Sequence, residues 1–107
     1  MTPIDDALIE RARASPQGYL EFLRVPTMSL GLYVLPAGGE DTQHPHSEDE
    51  VYYVLRGRGT FRSAGTDAPT RAGDVLFVPA HRPHRFHGIE EELVLLVVFA
   101  PPEGSQR

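Results

Sequence analysis

From residue 19 to residue 100, short apolar runs alternate with glycine, proline and aspartate. The runs are rich in β-branched and aromatic side chains, and each ends at residues that interrupt strands. The predicted strands cover residues 19–25, 28–35, 50–55, 59–62, 75–78, 84–87 and 93–99, with a loop over 63–70. Many short strands at this spacing are typical of a β-sandwich or barrel. The sequence therefore predicts an all-β fold.

A short helix is expected before these strands. Thr2 is the predicted cap, Pro3 suits the first helical position, and the helical pattern ends near residue 15. The apolar residues of this segment recur every four positions, at Ile4, Leu8 and Ala12. This spacing predicts one apolar stripe, which packs against the outside of the strands.

Size and composition limit the organisation and the partners of the chain. Its 107 residues are enough for one hydrophobic core, so we expect one domain with a helix (1–15), a barrel (19–100) and a polar tail (101–107). A net charge of −5 argues against a nucleic-acid or anionic-membrane partner. Cysteine is absent, which excludes thiolate ligands, and the N-terminus has no signal-peptide pattern. We therefore expect a cytoplasmic protein.

The run 93–99 reads LVLLVVF and is apolar at both odd and even positions. A strand with one wet face would alternate, so both faces of this strand must be covered. The N-terminal helix or a partner subunit could supply the second cover, and we expect a homodimer.

The residues that carry chemistry lie in residues 38–57. His44 and His46 are two positions apart and therefore project from the same face of a strand, and Glu50 keeps this parity. Imidazoles and a carboxylate suit Fe(II), Mn, Ni, Cu or Zn and leave coordination positions open. Tyr52 continues the parity, so its hydroxyl is a candidate catalytic group beside the metal.

Three further histidines could supply a fourth ligand. His84 begins a predicted strand and shares its face with Phe86, His87 points to the opposite side, and His81 lies in the preceding turn. We predict His84 as the ligand and expect the other two at the rim or surface. The acids beside the motif are expected to form a solvated rim, and these are Glu40, Asp41, Glu48 and Asp49.

This spacing resembles the two signatures of the cupin superfamily. The first signature is matched at all its fixed positions, which are Gly38, His44, His46, Glu50 and Gly57. The second is matched for the most part, at Gly73, Pro79 and His84. The resemblance implies a cupin-type antiparallel β-barrel, also called a jelly-roll or double-stranded β-helix. It also implies one divalent metal ion bound by His44, His46, Glu50 and His84.

The second signature departs from the family at two positions. His81 stands where the family usually has glycine, and Gly88 stands where it often has asparagine. A glycine in such a turn supplies a backbone conformation that histidine adopts less readily. Neither departure removes a ligand.

Three functions fit a mononuclear site of this kind. The first, which we favour, is an Fe(II)-dependent oxygenase that acts on a small organic molecule and uses the open coordination positions. The second is a redox-neutral isomerase, cyclase or lyase, in which the metal is a Lewis acid and Tyr52 or His81 moves a proton. The third is a non-enzymatic module that binds a small ligand or the metal itself.

Overall fold

A computed structural model describes residues 1–42 and 45–105 of the chain. The elements of this part are α1 (Asp6–Arg13), a 3-10 turn (Pro16–Gly18), β1 (Tyr19–Val25), β2 (Met28–Leu35), β3 (Asp49–Ser63), β4 (Thr66–Arg71), β5 (Val75–Val78) and β6 (His84–Ala100). The strands form one antiparallel sheet in the order β1-β2-β6-β3-β4, and β5 also pairs with β3. No helix of the described residues has the length and apolar character of a membrane span.

The strand prediction is confirmed for β1, β2 and β5, whose observed bounds equal the predicted ones. The predicted strands 50–55 and 59–62 are two parts of β3, and 84–87 and 93–99 are two parts of β6. The expected loop over 63–70 is wrong, because most of it belongs to β4. Of the six residues of β4 only Thr70 is buried. The sequence of this strand therefore has no apolar pattern from which it could be predicted. It forms because β3 offers it a ladder of main-chain partners.

The long strand β3 bends sharply near its middle. The rings of Tyr52 and Phe61 lie on this one strand, and their centroids are 5.9 Å apart. A straight strand would separate two residues at this spacing by about 30 Å. Pairing with β6 shifts register within residues 54–60, where Gly57 has a φ of 92°. A Cβ at Gly57 would lie 2.0 Å from the main-chain oxygen of Glu92, so the bend requires glycine there.

The bend folds the two halves of the sheet around one core. Its buried side chains come from both halves, and they are Tyr33, Leu35, Tyr52, Val54, Phe61, Val78, Phe86, Ile89, Leu93, Leu95, Val97 and Phe99. The described structure is therefore an all-β antiparallel barrel with a short N-terminal helix, as the sequence predicted.

The helix α1 begins later than predicted. The side chain of Asp5 accepts a hydrogen bond from the main-chain N–H of Leu8 at 2.9 Å, so Asp5 is the cap and not Thr2. Asp6 then occupies the first turn, where the positive end of the helix dipole favours a carboxylate.

The helix covers part of the outer face of the sheet. Ile4 lies before the helix and is 39% exposed, so the predicted stripe is wrong at that position. The buried face of α1 consists of Leu8, Ile9 and Ala12, and it packs on Leu32, Val34 and Val94. The helix therefore supplies the second cover for the part of β6 around Val94.

Beyond the helix, the same face of the sheet carries a row of apolar residues that are direct neighbours across five strands. This outer apolar row consists of Phe77, Val51, Val98, Leu30 and Leu23. The members at its two ends are the most open, with Phe77 59% and Leu23 38% exposed. The neighbouring Val75 is 65% exposed. In the described structure this part of the face has no cover.

Candidate metal centre

Three of the four predicted ligands converge inside the barrel. One donor atom from each of His46, Glu50 and His84 lies within 4.8 Å of the other two, and all three residues are buried. His44, the fourth predicted ligand, lies outside the described residues. The convergence is a consequence of the bend, because Glu50 and His84 stand near opposite ends of the β3–β6 ladder.

His84 is oriented by hydrogen bonds at both ring nitrogens. Its Nδ1 lies 2.9 Å from the main-chain oxygen of Arg82. A carbonyl oxygen can only accept, so Nδ1 carries the proton in the neutral ring and Nε2 faces the site. Nε2 lies 3.0 Å from Oε1 of Glu50 and 3.1 Å from the hydroxyl oxygen of Tyr52.

His46 lies in the segment that leads into β3. Its ring packs edge-on against Phe99, with centroids 4.7 Å apart. Its main-chain oxygen accepts a hydrogen bond from the N–H of His81 at 2.6 Å, which ties this segment to the turn between β5 and β6. His46 is therefore held through both its ring and its backbone.

The same turn contains His81, at a position where the family usually has glycine. His81 has a φ of 67°, in the left-handed region that glycine adopts most readily. Its side chain is exposed and lies at the rim, as predicted. Nε2 of His87 is 3.1 Å from Oδ1 of the exposed Asp67, away from the three converging donors. Neither residue joins the donor cluster.

The spacing of the donor atoms fits a transition metal ion. Metal–nitrogen and metal–oxygen distances of about 2.0–2.2 Å place the donors of a tetrahedral zinc site about 3.4 Å apart. At similar bond lengths an octahedral ion has adjacent donors about 3 Å apart and opposite donors about 4 Å apart. The 3.0 Å between His84 and Glu50, and the 4.8 Å limit on the whole set, require only a small contraction. Two imidazoles and one carboxylate are also the donor types that such ions prefer.

The electrostatics of the site favour a cation. Burial lowers the pKa of His84, but the hydrogen bonds to Glu50 and to the Arg82 carbonyl, with the charges of Glu50 and Asp41, raise it by more. The pKa of His84 is therefore above its ordinary value. A buried carboxylate costs free energy unless a positive charge is close by. The groups that stabilise a protonated His84 would equally stabilise a bound divalent ion.

Tyr52 is fully buried beside the donors, as its parity predicted. Burial, together with the charge of Glu50, raises the pKa of its hydroxyl well above 10. The group is therefore a neutral phenol that can donate a hydrogen bond. Its neighbour Tyr53 points outward and is 39% exposed.

The expected solvated rim of acids is wrong for two of its members. Glu48 is 1% exposed, and the Ser47 hydroxyl donates to its carboxylate at 2.6 Å. The carboxylate of Asp41 accepts from the Tyr33 hydroxyl at 2.8 Å and from the main-chain N–H of Phe86 at 3.0 Å. The parity of residues 46, 48 and 50 was the signal that could have placed Glu48 inside.

A small cavity borders His84. Its volume is about 160 Å³, and its lining residues are Arg62, Gly65, Pro83, His84 and Arg85. Pockets for drug-sized ligands usually measure about 300 Å³ or more. The cavity therefore fits a ligand of only a few heavy atoms.

Comparison with known proteins shows where this architecture recurs. The family model of the cupin domain matches residues 31–99. An uncharacterised protein of Streptomyces coelicolor is 47% identical over 101 residues, which cover 94% of this chain and 95% of that protein. Acireductone dioxygenase 1 of Pectobacterium atrosepticum is 40% identical over 67 residues, which cover 58% of this chain but only 39% of that enzyme.

A solved structure shares the fold of this chain. The crystal structure of a predicted oxalate decarboxylase from Thermotoga maritima superposes with a TM-score of 0.67 and 27% sequence identity, and the match covers 77% of each chain.

Proposed function

The chain belongs to the cupin superfamily, and from this membership and its donor set we propose that it binds one divalent transition metal ion through His44, His46, Glu50 and His84. We further propose that the bound ion is Fe(II) and that the protein is an oxygenase of a small organic molecule. The observation that carries the proposal is the buried convergence of His46, Glu50 and His84. Similarity to an acireductone dioxygenase over part of that enzyme supports the choice of reaction.

Fe(II) at such a site supplies redox chemistry with dioxygen and a Lewis-acid position for the substrate. The chain's own residues set the conditions around it. The rings of Phe61, Phe86 and Phe99 are buried in the core beside the site and exclude water from it. The neutral hydroxyl of Tyr52 is placed to donate a hydrogen bond to an oxygen atom of the substrate.

A redox-neutral lyase or isomerase is the second candidate, and Tyr52 is the observation that favours it. The Tyr52 hydroxyl lies 3.1 Å from Nε2 of His84 and keeps its proton at neutral pH, so it can stabilise a negative charge that develops on a substrate oxygen by donating a hydrogen bond. The fold match to a predicted oxalate decarboxylase supports the same class of reaction. In this case Mn(II) or Zn(II) would serve as well as Fe(II).

The test begins with metal analysis of protein purified without chelators, followed by anaerobic reconstitution with Fe(II). We expect one metal ion per chain and dioxygen uptake that matches the loss of substrate in a panel of small organic acids and ketones. Turnover that is unchanged when oxygen is removed would favour the redox-neutral reaction. Tight binding of an unchanged ligand would identify a binding module. Protein that takes up no Fe(II), Mn(II) or Zn(II) would refute the metal site itself.

We also propose that the chain forms a homodimer through the outer apolar row. α1 already covers the neighbouring part of the same face, whereas the ends of the row and the adjacent Val75 and Tyr53 are exposed in the part of the chain that the structure describes. A two-fold axis lets one sheet face cover its own copy, which is the simplest way to bury such a surface.

A further inference from the structure

We propose that Glu103 is a positioning residue of the metal centre. In the metal-bound protein its carboxylate would accept a hydrogen bond from Nδ1 of His46 and thereby present Nε2 of that ring to the ion. This inference rests on the metal binding proposed above, and it assigns a role to a residue that lies beyond the last strand, outside both sequence signatures.

The sheet register explains why the chain passes His46 after β6. Near the end of β6, Phe99 pairs with Ser29 of β2 on one side and with Glu50 of β3 on the other. The ring of Phe99 also packs against the ring of His46. The residues that follow Ala100 therefore leave the sheet beside the segment that carries the predicted ligands.

The backbone at Glu103 is held on both sides. Its N–H donates to the hydroxyl of Ser29 at 3.0 Å, and Ser29 is fully buried. Its carbonyl oxygen accepts from Nη2 of Arg24 at 3.1 Å. Pro102 is buried, and its carbonyl accepts from the N–H of Ser105 at 3.0 Å, which closes a turn. Because the backbone of Glu103 is already fixed, placing its carboxylate costs mainly side-chain conformational entropy.

The side-chain geometry points the Glu103 carboxylate at one nitrogen of His46. Oε2 of Glu103 lies 3.6 Å from Nδ1 of His46, whose side chain is 8% exposed. This is an ion-pair distance and is longer than a hydrogen bond. The Glu103 side chain is 28% exposed, so a rotation of its outer bonds can shorten the distance. A carboxylate at Nδ1 fixes the tautomer of the ring and makes Nε2 a stronger ligand.

The imidazole of His84, in the same donor cluster, has an oxygen partner at the same ring nitrogen. Nδ1 of His84 lies 2.9 Å from the Arg82 carbonyl, which leaves Nε2 for the site. The described cluster of mutually close donor atoms contains His46, Glu50 and His84 but not Glu103. The Glu103 carboxylate would therefore support the His46 ring from outside the donor set.

The experiment measures the Zn(II) affinity of the whole chain at fixed pH, by competition with a chelating dye. Glu103→Ala is expected to weaken Zn(II) binding by about 10- to 100-fold. Glu103→Gln is expected to weaken it less, because its amide oxygen still accepts from Nδ1, and it gives the answer if the alanine variant does not fold. Glu90→Gln is the control, since that carboxylate pairs with Arg58 at the surface, and it should keep wild-type affinity.

A second measurement separates positioning from a general effect on stability. In a long-range ¹H–¹⁵N spectrum of the Zn(II)-loaded protein, assigned with His46→Gln, His46 should carry its proton on Nδ1 and bind through Nε2. Wild-type affinity in both Glu103 variants, or coordination through Nδ1, would overturn the role of Glu103 while leaving the metal site intact. Failure of the wild-type protein to take up Zn(II), Fe(II) or Mn(II) would overturn the metal site and this inference together.

Discussion

Nε2 of His84 lies 3.0 Å from Oε1 of Glu50, although the β3–β6 ladder pairs Glu50 with Phe99 and His84 with Ser63. Two residues near opposite ends of one ladder meet only because both strands fold over at their middle. The candidate metal centre and the bend of the barrel are therefore one structural feature, and a change in either should affect the other.

Replacing His84 by alanine should abolish stoichiometric metal binding. The substitution removes one donor from the cluster, and the loss should exceed the roughly 10- to 100-fold that follows removal of a supporting group. His87→Ala is the matched control, because His87 contacts Asp67 outside the cluster. Metal content by elemental analysis and Zn(II) affinity by competition would measure both variants. Equal metal content in the two would contradict the assignment of His84.

Replacing Gly57 by alanine should destabilise the fold strongly. A non-glycine residue at positive φ costs about 1–2 kcal/mol, and the added Cβ would also meet the Glu92 oxygen at 2.0 Å. The total loss should be about 2–5 kcal/mol when overpacking is included. Gly65 has a similar positive φ of 84° with open space around it, so Gly65→Ala should cost only about 1–2 kcal/mol. Urea unfolding of both variants gives the difference, and equal losses would argue against the close approach at Gly57.

Stability should fall as the pH rises above about 10. Burial, with added effects of Glu103 and Asp41, raises the pKa values of Tyr19 and Tyr33 well above the usual 10. Each phenol then keeps its proton in the folded chain and loses it in the unfolded chain, so its contribution is complete below pH 10 and declines above it. The expected slope is about 1.4 kcal/mol per pH unit for each such phenol.

Tyr19→Phe provides the check on this slope. The Tyr19 hydroxyl is buried, with no hydrogen-bond partner among the described residues, so its removal should leave stability at pH 7 unchanged or slightly higher. Between pH 9 and pH 11, urea unfolding should show that the wild-type chain loses about 1.4 kcal/mol more stability than the variant does. An unchanged slope would show that Tyr19 ionises equally in both states.

Phe77→Lys should convert the proposed homodimer into a monomer. The charge falls within the outer apolar row, and a partner face would have to bury it unpaired. Because Phe77 is 59% exposed, the fold of the single chain should change in stability by no more than about 0.5 kcal/mol. Size-exclusion chromatography with light scattering measures the mass, with Thr66→Lys on the exposed strand β4 as the control. A monomeric wild-type protein would refute the dimer.

Local patterns were sufficient for much of this protein. Strand parity placed His46 and Glu50 on one inward face and turned Tyr52 in and Tyr53 out, because alternation is a property of each short extended run. Apolar periodicity and breakers located most of the strands, since those strands bury one face against a core. The expectation that Glu48 is solvated was based on its charge and is wrong, whereas its parity agrees with its burial.

The alternation of buried positions along β3 does not continue through the irregular part of the ladder. Buried positions along β3 are even at residues 50, 52 and 54 and odd at residues 59 and 61, because the register shifts between these segments. A prediction that extends alternation through such a segment reverses the two faces. β4 was not predicted, because its own sequence has no apolar alternation and the strand forms through main-chain pairing with β3.

The sequence alone determined the class of fold, the strands that bury a face and the residue types able to hold a metal, because these depend on short-range periodicity and spacing. Only the tertiary structure decided which of them meet. The bend at Gly57 brings His84 to Glu50, α1 covers Val94 and leaves the outer apolar row open, and the residues after β6 place Glu103 beside His46. Such contacts join residues far apart along the chain, and only the closed sheet sets their distances.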